Sequence, residues 1–265
     1  MALKISTGLR QFIQEVGSFK MALEGGVMEI YSGSAPTSAD DAVTGTKLCK
    51  ITKGSGAHTP ETLSTGIVLL SGGASGNVSS ITIDGYEILG ATITFNTSLT
   101  QTAADIVSQI SRYVGTPNWV SATSSGATIT LTAIPGTGIK LNGKTIAVTA
   151  ATITYTINGG SSTTIGGAGA TAGIASANGI EYDYSTTGKI KLYSSVSGVN
   201  ITSGTAGYFR ILSSVTDAGG SSTVLIRIQG TCGTSGADYN MINTLFELAA
   251  THTVATLELT FPSSA

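Results

Sequence analysis

Charged side chains are scarce in this sequence. Its 265 residues include 13 lysines or arginines and 15 aspartates or glutamates, 11% of the chain, where roughly 25% is usual in soluble proteins. Phosphate backbones are bound by clustered basic side chains, so we expect no nucleic-acid binding. No apolar run approaches the ~18 residues that span a bilayer, and no signal-peptide pattern is visible, so we expect neither a membrane nor a secreted protein.

Residues that commonly carry out catalysis or bind metals are also few. Cys49 and Cys232 lie far apart, and His58 and His252 are the two histidines. This spacing forms neither a disulfide framework nor a zinc-ligand cluster. Two histidines also supply few acid–base candidates. We therefore expect no enzyme, no catalytic residue, no bound metal and no cofactor, and we interpret both histidines as surface residues.

Two further motifs have simple structural interpretations. Residues 167–172 fit a loose GxGxxA pattern, but a dinucleotide site needs a helix directly afterwards, which the glycines that follow prevent. Asp40 and Asp41 lack the DxDxDG spacing of a calcium loop, so we predict a turn there. A hard-cation site shared with Asp217 or Asp238 is the alternative.

Small residues replace the missing charges. The chain has 35 glycines, 32 serines and 41 threonines, together with 41% hydrophobic residues. Frequent valine, isoleucine and threonine are typical of packed strands and exclude a disordered chain. We predict a mainly β protein in which residues 1–66 and 179–265 form an antiparallel β-sandwich of jelly-roll type with an N-terminal helix.

The N-terminal helix is predicted from an apolar stripe. Ser6 or Thr7 is placed to cap its start, and residues 17–18 divide it into two short helices. The stripe either covers the open end of the sandwich or contacts a neighbouring subunit. Its members, which recur at spacings of three and four, include Leu9, Phe12, Ile13, Val16 and Phe19.

Residues 67–157 predict an inserted α/β domain with the order β-β-α-β-β. Asp84 and Gly85 are typical of a two-residue hairpin turn between strands at 78–83 and 87–95. Thr102 and Asp105 resemble a capping box at the start of a helix. Residues 144–157 are interpreted as one strand.

The segment that follows, residues 158–178, is rich in glycine and nearly free of large side chains, which predicts a flexible linker. Tyr113 and Trp119 are the large aromatic residues near the end of the inserted helix. They are candidates for the core or for a contact on the outer surface.

The two flanks together carry a resemblance. Its segments are residues 3–10 (LKISTGLR), 25–33 (GGVMEIYSG), 204–210 (GTAGYFR), 217–222 (DAGGSS), 226–230 (IRIQG) and 233–240 (GTSGADYN). They resemble a family of small structural proteins encoded by tailed bacteriophages, whereas the middle 112 residues depart from that pattern. The resemblance implies a non-enzymatic virion component, assembled in the bacterial cytoplasm, with no catalytic residue to identify.

Within the virion we expect a capsid decoration or cement protein that binds the shell of the major capsid protein and stabilises it. Other virion proteins are possible partners, and a homo-oligomer, dimer or trimer, is expected. The alternative is a tail, baseplate or fibre component that contacts the host surface. A surface with few charges suits extended contacts because little charge must be desolvated. The β domain would contact the shell, and the inserted domain would project outward and contact neighbours or, weakly, host-surface glycans.

Overall fold

The computed structural model describes residues 3–112, 120–136, 138–185 and 189–260. The fold is mainly β, with several antiparallel sheets. The helices of the described residues are α1 (Thr7–Glu15), α2 (Phe19–Leu23) and α3 (Leu99–Ile110). The strands are β1 (Lys4–Ile5), β2 (Val27–Ser32), β3 (Lys47–Ile51), β4 (Thr65–Ser71), β5 (Asn77–Ile83), β6 (Tyr86–Glu87), β7 (Ile93–Thr94), β8 (Val120–Ser125), β9 (Thr128–Ala133), β10 (Ile146–Ala151), β11 (Thr154–Ile157), β12 (Lys189–Lys191), β13 (Val196–Val199), β14 (Gly204–Leu212), β15 (Arg227–Gly233), β16 (Tyr239–Asn240), β17 (Leu245–Phe246), β18 (Thr251–Val254) and β19 (Glu258–Thr260).

The chain divides into two compact units. Unit 1 consists of residues 1–61 and 176–265, and unit 2 consists of residues 62–175, which lie between those segments in the sequence. The sequence placed the corresponding boundaries at 66 and 179. Both boundaries therefore lie a few residues nearer the N-terminus than expected.

Unit 1 is built around a sheet with the strand order β1-β15-β14-β2-β3. These neighbours all pair antiparallel. Strand β17 pairs with β14, and β16 pairs with β15 in the parallel direction. Two further antiparallel ladders, β12 with β19 and β13 with β18, complete the strand pairings described for this unit.

One face of this sheet is apolar because side chains alternate along each strand. Ile211 on β14 lies opposite Ile228 on β15 and Met28 on β2. Two residues away, Phe209 lies opposite Ile30. All five side chains are buried, so this face is part of the hydrophobic core of unit 1.

The opposite face carries buried polar side chains. Arg210 lies opposite Gln229 and Glu29 in the register, and all three are buried. Arg210 Nη2 donates to the Asp41 carbonyl at 2.8 Å, and Gln229 Nε2 donates to the Pro36 carbonyl at 2.8 Å. Buried polar groups need hydrogen-bond partners, so these bonds hold the segment around residues 36–41 against the sheet.

Arg227 extends this polar face and forms a buried ion pair. Its Nε and Nη2 lie 2.6 and 2.7 Å from the two carboxylate oxygens of Asp217, and the two side chains are 0% and 4% exposed. Arg227 Nη2 also donates to the Gly220 carbonyl at 2.7 Å. This two-pronged geometry is the strongest form of arginine–carboxylate pair, and it fixes the loop that contains Asp217.

The N-terminal helices confirm the predicted start and division. Ser6 is the N-cap of α1, and its hydroxyl accepts from the Leu9 N–H at 3.1 Å. The helix ends before Gly17, and Ser18 caps α2 by accepting from the Met21 N–H at 3.3 Å. Each cap satisfies a backbone donor that the first helical turn leaves free.

Unit 2 contains two four-stranded sheets in its described residues. One has the order β10-β5-β6, with β7 also paired to β5, and the other has the order β11-β4-β9-β8. The predicted order β-β-α-β-β is incomplete, because four strands precede α3 and four follow it. A single hydrophobic core includes side chains from both sheets and from α3, among them Val68, Leu131, Ile81, Val148 and Ile106.

Local signals in unit 2 predict the hairpin turn correctly, but the strand predicted over residues 87–95 is two short strands, β6 and β7, and the predicted helix start is wrong. Asp84 and Gly85 both have positive φ, 52° and 83°, and Ile83 pairs with Tyr86, which confirms the two-residue turn. The helix begins at Leu99, three residues before Thr102, and the Thr102 hydroxyl donates to the Ser98 carbonyl inside the first turn. Ser98 is the actual N-cap.

The predicted strand over residues 144–157 is two strands in different sheets. Strand β10 ends at Ala151, and β11 begins at Thr154. Between them, Thr152 has a φ of 68°, which turns the chain from one sheet to the other. Threonine favours strands and seldom takes this conformation, so the break is imposed by the packing of the two sheets.

The glycine-rich segment 158–178 is not a flexible linker. Ile165 is fully buried in the core of unit 2. Asn158 is also buried, and its side chain accepts from the Ile67 N–H and donates to the Thr164 carbonyl. The glycines allow close backbone packing: a Cβ at Gly169 would lie 2.1 Å from the Asn158 oxygen. Composition alone conceals these tertiary contacts.

We expect Asp217→Ala to lower the free energy of unfolding by about 3–5 kcal/mol, because it leaves the Arg227 guanidinium buried without its counter-ion. Urea denaturation followed by circular dichroism measures this loss. Glu181→Gln is the matched control, since the Lys53–Glu181 pair is exposed and its removal costs less than about 1 kcal/mol. Equal, small losses in both variants would contradict a structural role for the buried pair.

Candidate interaction surface

The predicted subunit contact on the N-terminal helical segment is wrong for two of its five residues. Leu9 and Phe12 are buried inside unit 1, so a neighbouring subunit has no access to them. They belong to the core because the inner face of the amphipathic helix packs on its own unit. Ile13, Val16 and Phe19 are half-buried, and their contact with a neighbour stays a prediction.

The predicted outer-surface contact consists of Tyr113 and Trp119. Both residues lie outside the part of the chain that the structure describes. The choice between a core role and an outer-surface contact therefore stays a prediction as well.

Both histidines are half-buried, not exposed as expected. His58 Nε2 lies 3.1 Å from the Gly25 carbonyl oxygen. His252 Nε2 lies 3.2 Å from the Tyr239 hydroxyl, and its ring centroid lies 4.8 Å from that of Phe246. Burial lowers the pKa of both imidazoles below the ordinary 6.5. Their hydrogen bonds to neutral oxygens suit packing more than acid–base catalysis.

The two cysteines are free thiols. Burial raises the pKa of each to about 12, and the charge of Asp238 contributes at Cys232. A thiolate is the reactive form of cysteine. Both side chains are therefore protonated at neutral pH and are poor nucleophiles.

The aspartates considered as cation ligands have structural partners. Asp40 accepts from the Thr7 N–H and hydroxyl at 2.8 and 2.6 Å, and Asp217 pairs with Arg227. Asp41 accepts from the Ser38 N–H at 2.8 Å, as the predicted turn requires. Within the described ranges, no group of three or more histidine, cysteine, aspartate or glutamate side chains is placed to hold a metal ion.

A cleft of about 440 Å³ lies beside the polar face of the unit 1 sheet. Its lining includes several glycines, among them Gly33, Gly207 and Gly230. A Cβ at Gly207 would lie 1.8 Å from the Gly33 oxygen, so glycine is required for this close approach. The cleft presents Lys4, Asp238 and the protonated Cys232 thiol, which form no recognisable catalytic arrangement.

A larger cleft, of about 670 Å³, lies elsewhere in unit 1. We call it the second cleft; Met241, Ile242, Leu245 and Phe246 contribute apolar side chains to its wall. Glu247 is the one charged residue in its lining. The other lining residues are small, amide-bearing or aromatic, and they include His252. Such a surface can be covered with little loss of charge solvation.

Large apolar side chains are exposed around this cleft. We call this group the apolar rim, and its members are Val199, Ile201, Ile242, Leu245 and Leu248. Leu248 is 64% exposed and Ile242 is fully exposed. Single exposed apolar residues are ordinary, but a group of them in adjoining segments marks a candidate interaction site.

Hydrogen bonds join the two segments that carry the apolar rim. Asn200 N–H donates to the Ala250 carbonyl at 2.8 Å, and its Nδ2 donates to the Glu247 carbonyl at 2.9 Å. Leu248 N–H donates to the Ser203 hydroxyl at 2.9 Å. The rim is therefore presented on a bonded backbone framework, which lowers the entropy lost when a partner binds.

Sequence reasoning missed the apolar rim because its members lie singly, in turns or in short strands, and share no helical or strand periodicity. The available signal was the presence of large apolar residues between polar or small ones, such as Ile201 between Asn200 and Thr202. That signal is weak, because loop residues of this kind are often buried by tertiary contacts.

Comparisons with protein-family models, with curated proteins and with solved structures find no match. The likeness to phage structural proteins therefore depends on the sequence segments given above. No helix in the described part of the chain has the length and apolar character needed to cross a membrane.

The lowered histidine pKa values predict that stability falls with acidification. In the unfolded chain both imidazoles titrate near 6.5, so the unfolded state binds more protons as the pH falls below that value. The free energy of unfolding is therefore greatest above pH 6.5 and decreases below it. We expect His252→Phe to reduce this decrease, measured by denaturation at about pH 7 and pH 5. Equally steep profiles for both proteins would contradict the burial effect at His252.

Proposed function

We propose that this chain is a non-enzymatic structural protein of a tailed-phage virion, and specifically a capsid decoration or cement protein. In this role it binds the shell formed by the major capsid protein and stabilises it. The observation that carries the proposal is the apolar rim, a group of exposed apolar side chains on a unit with few charges. Such a surface suits permanent coverage by another protein.

The location of the phage-like segments supports the proposal. Residues 3–10, 25–33, 204–210 and 226–230 include all or part of β1, β2, β14 and β15. These strands are neighbours in the order β1-β15-β14-β2. Segments that are scattered in the sequence but adjacent in one sheet are consistent with a shared fold.

We extend the proposal to the architecture of unit 1, as an antiparallel β-sandwich of jelly-roll type interrupted by unit 2 as an inserted domain. The buried apolar face that contains Phe209 and Ile211 requires a covering layer. Val196 and Val254 of the β13–β18 ladder are buried, as inward-facing residues of a second sheet are.

Decoration would stabilise a shell by addition of many similar contacts. Each copy buries its apolar rim against shell protein, and the symmetry of the particle repeats that contact many times. Linked contacts resist separation more strongly than any one of them does alone. No catalytic residue, metal or cofactor is needed for this activity.

The alternative is a tail, baseplate or fibre component that contacts the host surface. It is favoured by Tyr184 and Tyr193, which are exposed aromatic side chains of unit 1. Exposed rings with a polar hydroxyl suit contact with partly polar ligands such as glycans. In this case the chain would associate with purified tails instead of shells.

Cosedimentation with purified particles tests the proposal. We expect the wild-type chain to bind shells that lack it and not to bind isolated tails. Leu248→Asp places a carboxylate in the apolar rim and should weaken shell binding at least tenfold, about 1.4 kcal/mol or more. Val224→Asp is the matched control, because Val224 is 77% exposed but lies outside the rim, and this variant should bind normally.

Binding to tails alone would favour the alternative component. Binding to neither particle would contradict a virion role. Equal loss of binding in Leu248→Asp and Val224→Asp, with both variants folded, would contradict the assignment of the apolar rim as the contact surface.

A further inference from the structure

Strand β18 has one paired edge and one open edge. It pairs antiparallel with β13, where Gly198 lies opposite His252 and Ser197 lies opposite Thr253. The two strands form a two-stranded ladder, and no other strand of the described chain pairs with β18. Whether the open edge can pair with another strand depends on the direction in which its backbone N–H and C=O groups point.

Hydrogen bonds on the far side of β13 fix that direction. Ser197 exchanges two backbone bonds with Thr52, at 3.0 and 2.9 Å, so its N–H and C=O point away from β18. The backbone N–H and C=O groups of neighbouring residues in a strand point in opposite directions, so those of Gly198 point toward His252. Two residues further along, Asn200 N–H donates to the Ala250 carbonyl, so the backbone N–H of Asn200 points to the same side as that of Gly198.

The same alternation directs Thr251 and Thr253 outward. Their N–H and C=O groups point away from β13, and both residues are exposed. Both also line the second cleft, so the open edge borders that cleft. Natural edge strands are commonly protected by lysine, proline or a bulge. The strand Thr251–Val254 has none of these residues and no register shift.

We propose that the open edge of β18 pairs with β18 of a second copy of this chain, antiparallel across a two-fold axis at His252. Thr251 then lies opposite Thr253 of the second copy, and Thr253 lies opposite its Thr251. Each of these two pairs exchanges two backbone hydrogen bonds, which gives four bonds in the interface. Strand addition of this kind uses backbone groups for binding and side chains for specificity.

The edge fits a second copy because it is self-complementary. Its two donors and two acceptors are placed symmetrically about His252, as a two-fold interface requires. Its side chains carry no charge at neutral pH, so two identical edges do not repel. A charged partner would need residues of the opposite charge at this edge. Glu247 is the one charged residue of the cleft lining, so a charged partner finds little to pair with. This dimer does not depend on a virion role.

Sedimentation equilibrium of the full chain tests the interface with a matched pair of variants. Thr253→Pro removes an outward N–H that β13 does not use, a position where an edge strand accepts proline. Thr253→Ala keeps that N–H. We expect the wild type and Thr253→Ala to dimerise with similar affinity, and Thr253→Pro to raise the dissociation constant at least tenfold.

A second variant covers the case in which Thr253→Pro fails to fold. The double variant Thr251→Lys, Thr253→Lys places a lysine directly opposite a lysine of the second copy in both pairs, which opposes pairing, while the β13 ladder does not use the outward backbone groups of these residues. It should also raise the dissociation constant at least tenfold. A wild-type chain that is monomeric at its highest soluble concentration would overturn the proposal, and so would a dimer that the folded edge variants leave unchanged.

Hydrogen exchange in the wild type locates the contact directly. We expect the amides of Thr251 and Thr253 to exchange faster on dilution into the monomer range. The His252 amide, which is bonded to Gly198, should keep its protection. Equal protection of the Thr251 and Thr253 amides at every concentration would mean that the chain itself covers this edge, which would overturn the proposal.

Discussion

The alternation of side chains along β14 and β15 determines how unit 1 is organised. It places Phe209 and Ile211 on the apolar face and Arg210 and Arg227 on the other. Since a buried guanidinium is unstable without partners, the polar face must be covered by segments that supply carbonyl and carboxylate oxygens. The carbonyl of Asp41 and the carboxylate of Asp217 meet that need. Loops with little regular structure thereby become fixed parts of the unit.

The same alternation determines what the surface offers to other molecules. Along β18 it directs the backbone groups of Thr251 and Thr253 outward, and in β13, β17 and the adjoining segments the apolar rim is exposed. Because charged residues are few, and several of them are used inside unit 1, these surfaces are apolar or neutral. Such surfaces suit the lasting protein contacts that the proposed function requires.

Features set by neighbours in the sequence were predictable. Ser6 caps α1 and Asp84–Gly85 turns the β5–β6 hairpin because both depend on a few adjacent residues. Features set by tertiary packing were not predictable. Thr152 adopts a left-handed conformation where the chain passes between sheets, and the glycine-rich segment contributes Ile165 to a core. Composition favoured a linker there, because the residue content of a segment does not show whether one of its side chains is buried.

The candidate surface was less predictable than the fold. Helical spacing identifies the apolar stripe of the N-terminal helices from the sequence. The same spacing is found in a helix that contacts a partner and in one that packs on its own core, and Leu9 and Phe12 lie in the core. The apolar rim has no periodicity, so only the tertiary structure brings Ile201 and Leu248 into adjoining, bonded segments. Arginine between large apolar residues, as in Ile226–Arg227–Ile228, was the available sign of the buried polar face.

The number of copies in a virion tests the central claim most directly. Quantitative mass spectrometry of purified particles of a phage that encodes this chain measures that number against the major capsid protein. A decoration role predicts a fixed ratio to the shell protein, on the order of hundreds of copies in each particle. About a dozen copies or fewer, or a number that does not follow the shell protein, would contradict that role.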